Sequence, residues 1–141
     1  MGNSANFKQY LIENLINLED YKLHLAAFNG EEHPFDVYNR SSDEWKEWNE
    51  YRGAKDDFNR SKILCLIPDY HHPGIYIFVG VYKIIDRYDD WDKTGKGYRV
   101  KLSEEFSYHI GKLKIRFNRY QGLRGRSFRL EGLSKLMYII E

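Results

Sequence analysis

The sequence predicts an α+β domain: N-terminal helices, then a mostly antiparallel sheet that can curl into a small β-barrel. Two patterns carry this expectation. Apolar residues recur at helical spacing over the first fifty positions, whereas the later half holds short continuous runs of Ile, Val, Tyr and Phe. Turn-forming glycines and asparagines separate those runs.

The elements follow in order. In "NSANFKQYLIENLINLED", Asn3 or Ser4 can cap a helix whose apolar face is Phe7, Leu11, Leu15 and Leu18, ending near Asn17. "YKLHLAAF" alternates Tyr21, Leu23, Leu25 and Ala27 against Lys22 and His24, as a strand does. "NGEEHPFD" reads as a loop, since Asn-Gly marks a turn and Pro34 disfavours helix at His33. "SSDEWKEWNEYRG" reads as a second helix, capped by Ser42 or Asp43 and stopped by Gly53. "KILCLI" and "GIYIFVGVYKII" are strands, "DRYDDWDKTGKG" a connection, and "YRVKLSEEF" and "GKLKIRFNRY" further strands. "RGRSFRLEGL" is irregular, and "SKLMYII" is a strand or short helix. No internal repeat, low-complexity run or linker divides the chain, so residues 1–141 are read as a single domain.

Composition narrows the class. The 141 residues can bury a core without covalent staples. The single cysteine, Cys65, rules out an internal disulfide and a cysteine-based zinc cluster, which fits a reducing cytoplasm. The N-terminus lacks the pattern of a secretion signal, and no apolar run approaches the ~20 residues of a membrane span, so a soluble, cytoplasmic protein is expected. A net charge of +1 conceals a gradient. Residues 1–60 hold 7 Lys and Arg against 12 Asp and Glu; residues 101–141 hold 9 against 4. Separate acidic and basic faces would follow, and phosphates would be drawn to the basic one.

Catalytic motifs are not assembled. "PDYHHPGIYIFVGVYKII" spells part of a GIY-YIG nuclease core, but Gly74-Ile75-Tyr76 runs into Ile77-Phe78-Val79-Gly80 with no turn between two strands. One strand packed on both faces is the better reading. A restriction-type site beginning at Pro68-Asp69 fails because Trp91 occupies the acid position in "DDWDK". "TGKG" lacks the leading glycine and trailing hydroxyl of a phosphate-binding loop. His71 and His72 are sequence neighbours, and His24, His33 and His109 are scattered, so no metal set is expected. A nucleophile triad meets only in space, and nothing in the sequence promotes one. No catalytic residue, metal or cofactor is assigned.

Two features stand out. "GKLKIRFNRYQGLRGRSFR" carries Lys112, Lys114, Arg116, Arg119, Arg124, Arg126 and Arg129 without one acid. On a strand, Lys112, Lys114 and Arg116 share a face about 7 Å apart, roughly the spacing of successive phosphates. The arginines that follow can grip a backbone or read a base edge; the alternative is a solvated face neutralised by acids from the N-terminal half. In "DEWKEWNEY", Trp45 and Trp48 share a helix face with Tyr51 at its edge. Two indoles either plug a core or form a stacking wall for a base.

The ordered segments "KLHLAAFNGEEHPFDVY", "EWKEWNEYRG", "DFNR", "IFVGVYKI", "HIGKLKIRF" and "GRSFRLE" together resemble the N-terminal module that precedes the nuclease domain in a group of bacterial GIY-YIG nuclease family proteins. The resemblance runs from about residue 20 to the C-terminus. The nuclease domain would follow "LSKLMYIIE", so the chain is either part of such a protein or a stand-alone relative. The pattern of apolar strands is also similar to PUA-like barrels, several of which hold an extruded or modified base. The resemblance implies a non-catalytic nucleic-acid-targeting module, DNA ahead of RNA. Its base pocket would draw on Asn29, Asp36, Trp45, Trp48, Asn59 and Arg60. Asn29 and Asp36 can equally fix their loop as turn and cap residues, and Glu131 is expected to pair with Arg126 or Arg129. The alternative function is a protein-interaction or regulatory domain whose acidic and basic faces meet a partner or a second copy.

Overall fold

A computed structural model describes residues 5–14, 16–27, 31–51, 58–69, 71–117 and 126–140, without the side chains of Ala5 and Arg126. The α+β expectation holds. Eight strands form one curled, mostly antiparallel sheet: β1 (Ala5–Asn6), β2 (Tyr21–Leu25), β3 (Lys62–Pro68), β4 (Ile75–Arg87), β5 (Tyr98–Leu102), β6 (Lys114–Phe117), β7 (Arg126–Arg129) and β8 (Met137–Ile140). Their order is β1-β8-β6-β4-β3-β2-β7, with β5 paired to β4 beside this path. The β2–β3 pairing is parallel and the rest are antiparallel.

Four helices flank the sheet: α1 (Phe7–Glu13), α2 (Pro34–Arg40), α3 (Ser42–Glu50) and the single turn α4 (Leu130–Leu133). Helix α1 is capped by Asn6, whose Oδ1 accepts from the Gln9 N–H at 3.1 Å. It ends at Glu13, several residues before the position the apolar spacing suggests. Helix α2 is a correction to the loop reading of "NGEEHPFD". Pro34 starts the helix at its first position, where a missing N–H costs nothing, and His33 caps it by accepting from the Phe35 N–H at 3.1 Å. Ser41, one residue ahead of the expected cap, begins α3.

The sheet separates two cores. On one face α1 inserts Phe7 and Leu11 among Leu23, Leu64, Leu66, Phe78, Ile115 and Met137. On the other, α2 and α3 set Val37 and Trp45 against Ile63, Ile67, Val79, Tyr98 and Val100. Consecutive strand residues alternate between these faces, so a one-residue slip would exchange the two cores.

Strand β4 begins just after Gly74, the first of the GIY letters, and runs as one strand through Ile75 and Tyr76 to Gly80 and beyond. It is shared between partners. Ile75–Ile77 pair with β6, residues 76–83 pair with β3, and Tyr82–Arg87 pair with β5. The change is made near Gly80, which has φ +125° and lies beside a register shift against Cys65 and Leu66. A Cβ there would lie 3.0 Å from Leu102 Cδ1, so glycine suits both the conformation and the approach of β5.

Candidate nucleic-acid interface

Strand β6 begins at Lys114, so Lys112 is not on the strand: it lies in the turn before it, exposed. Its Nζ sits 4.3 Å from the ring centre of Tyr108, which is 76% exposed. The pair presents a cation and a flat ring together at the surface. Lys114 and Arg116 share one face of β6, as the alternation requires, opposite Ile77 and Ile75 of β4 and Ile140 and Tyr138 of β8. Arg116 is exposed, and neither it nor Lys112 has an ion pair among the described residues. Arg129 is also exposed, but it lies beside Lys22 at the β7 end of the sheet, away from β6. Arg119 and Arg124 lie outside the described residues, as does the side chain of Arg126.

Lys114 borders an open cleft of about 320 Å³. Helix α2 contributes Phe35, Tyr38 and Asn39; the turn between β3 and β4 contributes Asp69, His71 and His72; Ile77 and Gly111 complete the wall. The turn is rigidly tied. Asp69 Oδ1 accepts from the His71 N–H at 3.0 Å, and Asp69 Oδ2 takes the His72 Nδ1–H at 3.1 Å with Lys114 Nζ at 3.6 Å. Asp69 is a backbone partner too, its N–H donating to Ile75 O at 2.8 Å. Phe35 and His71 meet edge to face at 6.1 Å. Gly111, at φ +78°, leaves room for the Tyr38 hydroxyl, which a Cβ would approach to 3.3 Å. Burial pushes the Tyr38 phenol above its ordinary pKa, so it stays a neutral hydrogen-bonding group.

Burial alone would raise the Asp69 pKa, but the His71 N–H, the His72 ring and Lys114 outweigh it and hold the carboxyl below its ordinary 3.8. Glu105 and Glu131 are likewise held below their ordinary 4.5. For Glu105, burial opposes and Lys62 and Tyr21 prevail; for Glu131, Arg60 leads. Groups with depressed folded values contribute stability that is complete above their ordinary values and is lost as pH falls through the folded ones. Thermal melting followed from pH 7 to pH 3 is therefore expected to hold steady down to about pH 4.5 and to fall below it. Asp69→Asn should flatten that fall; an unchanged acid limb would show that Asp69 is not stabilised as a carboxylate.

Among the described residues, those expected to form a base pocket are not gathered into one. Trp45 is 1% exposed, stacked 6.4 Å from His24 and 6.1 Å from Trp48, and seals the core under α3. Of the two alternatives for this pair the structure takes core packing for Trp45, because its position faces β3 and β5; Trp48 is half-buried at the rim of the same core. Asp36 lies in the first turn of α2, exposed, where its charge suits the helix dipole. Arg60 is engaged elsewhere. It makes two bonds to Glu131, at 2.6 and 2.9 Å, and donates to Tyr21 O at 3.2 Å. Glu131 thus pairs with Arg60, and among the described residues it has no ion pair with Arg129. Asn59, next to Arg60, is exposed, and Asn29 lies outside the described residues.

One constellation escaped the sequence reading altogether. His24 and Cys65 are register partners across the parallel β2–β3 pair, and both reach Asn49 of α3. Asn49 Oδ1 accepts from His24 Nδ1–H at 2.8 Å and from Cys65 Sγ at 3.5 Å, while its Nδ2 donates to Trp45 O at 3.1 Å. The residue types are those of a cysteine hydrolase, but all three are 0% exposed and burial pushes the Cys65 thiol far up. A thiol that cannot ionise or meet a substrate is not a nucleophile. The trio locks α3 to the sheet.

Among the described residues no group of three or more His, Cys, Asp and Glu is placed to hold a metal ion, and no helix is long and apolar enough to cross a membrane. Comparison with protein-family models, with curated proteins and with solved structures finds no match to this chain.

Proposed function

We propose that the chain is a non-catalytic nucleic-acid-binding module whose contact surface is the β6 face and the cleft beside it. The supporting observation is the state of the cations there: Lys112 and Arg116 are exposed without an acid partner among the described residues, and Lys114 lies between them in sequence, lining an aromatic cleft. Lys112, Lys114 and Arg116 would hold phosphates. Phe35 with His71, and Tyr108 beneath Lys112, would stack rings of unpaired bases, which is sequence-tolerant recognition. In this reading the flat ligand lies between α2 and the β3–β4 turn, not against Trp45. The sequence resemblance to the module ahead of GIY-YIG nuclease domains gives such a surface a purpose, to direct cutting elsewhere, and single-stranded or locally opened DNA is the ligand to try first.

Fluorescence anisotropy with a labelled single-stranded DNA at 50 and 200 mM salt tests this. Affinity should fall as salt rises, with a logarithmic slope of about −0.7 per phosphate neutralised. Arg116→Glu with Lys112→Glu should weaken binding by about tenfold or more and reduce the slope by about 1.4. Phe35→Ala should weaken binding by about tenfold, the usual weight of one stacked base, and leave the slope unchanged. Salt-independent affinity, or affinity untouched by the charge reversals, would overturn the proposal.

A further inference from the structure

A second cationic feature lies on the opposite face of the sheet. Lys62, Lys83 and Lys101 are successive register partners across β3, β4 and β5, so their side chains project side by side. Directly opposed residues have Cβ atoms about 5 Å apart, and like charges in that position destabilise a sheet unless something neutralises them. Lys62 is neutralised: its Nζ is 2.7 Å from Glu105 Oε1 and lies over the Tyr21 ring. Lys83 and Lys101 are exposed and have no ion pair among the described residues.

These two lysines line a concavity of about 460 Å³ whose other walls are Leu102, Ser103, Glu104 and Glu105. The neighbouring acid is already committed. Glu105 takes Lys62, the Tyr21 hydroxyl and the Ser103 hydroxyl, the last at 3.2 Å. Ser103 is fixed in turn, its N–H donating to Val81 O at 2.8 Å and its Oγ accepting from the Glu105 N–H at 3.2 Å. The floor is therefore held in place, and the charge left over is that of two adjacent ammonium groups, with Glu104 exposed at the rim.

We infer that Lys83 and Lys101 form a binding site for a phosphate group, as inorganic phosphate or the terminal phosphate of a nucleotide. Two opposed point charges match a dianion better than a single carboxylate, and lysine binds phosphate in this way without the fork geometry of arginine. Glu104 opposes the ligand and sets a ceiling on its affinity. The site does not depend on the β6 surface, which lies on the other face.

Titration of the full chain with sodium phosphate, and separately with adenosine monophosphate, followed by backbone amide NMR at constant ionic strength, tests the inference. Saturable shifts centred on Lys83 and residues 101–105 are expected from at least one ligand; phosphate alone identifies free anion, and a stronger response to the nucleotide identifies a phosphate monoester. K83Q/K101Q should weaken binding by about tenfold or more, as loss of charge-assisted bonds does, and E104Q should strengthen it. Both variants replace exposed side chains, and an unchanged amide spectrum shows that each is folded. K112E/R116E should leave these shifts in place, which separates this site from the β6 surface. Linear, unsaturated shifts with both ligands, or shifts that survive K83Q/K101Q, would overturn it.

Discussion

Replacing Glu50 with alanine is expected to cost about 3–5 kcal/mol, the range for leaving one partner of a buried ion pair alone. Glu50 is 1% exposed at the end of α3. Its Oε1 receives Lys96 Nζ at 2.8 Å, its Oε2 receives the Val100 N–H at 2.9 Å, and its own carbonyl receives the Gly97 N–H at 2.9 Å. One residue thereby pins the helix to the connection between β4 and β5. Alanine would keep the backbone bond but leave a nearly buried ammonium only the longer, half-exposed contact to Glu47 at 3.8 Å, and an inward-facing N–H with no acceptor. Urea unfolding monitored by tryptophan fluorescence measures the loss. Lys96→Met added to Glu50→Ala should recover part of it, because the uncompensated charge is gone. A loss below about 1 kcal/mol would show that the pair is hydrated and contributes like a surface salt bridge.

Trp45→Ala is expected to lower stability by a similar amount, about 3–5 kcal/mol, by opening a cavity beneath α3. The indole touches His24, Tyr38 and Trp48 and fills the space above β3 and β5. Among the described residues its Nε1–H has no hydrogen-bond partner, so the residue stabilises by volume and not by polarity. Trp45→Phe should accordingly be much milder, since it loses bulk without breaking a bond. The pair of variants also separates the two meanings of "DEWKEWNEY". A core tryptophan changes unfolding while the folded fraction binds DNA as before; a stacking wall would lose binding at unchanged stability. The second outcome would return Trp45 to the interface.

What could be read from the residues was whatever local chemistry decides. The strands announce themselves through Ile63–Ile67 and Ile75–Val81, apolar runs rich in Ile, Val, Tyr and Phe and broken only by Gly80. The GIY letters were correctly assigned to one strand because no turn residue divides them. Helix α2 is hidden in the local pattern because Pro34 reads as a breaker, although the same ring is favoured in a first turn once His33 supplies the cap. Strand β7 was hidden in an arginine-rich, irregular segment; its partner is β2, about a hundred residues away, and no local pattern encodes that pairing. Separation hid the site in the same way. Phe35, His71 and Lys114 meet only after α2, the β3–β4 turn and β6 converge. The buried trio of His24, Asn49 and Cys65, and the bond from Arg60 to Glu131, are likewise products of register. Side-chain type limited what each could be, but only the sheet order decided which met.

The division of β4 has an electrical consequence. Arg116 stands beside Ile75 at the start of the strand and Lys101 beside Lys83 further along it, on opposite surfaces. Eight residues of extended chain separate them by about 26 Å, roughly three screening lengths at physiological ionic strength. If both proposed surfaces bind anions, an occupant at one would therefore leave the field at the other nearly unchanged.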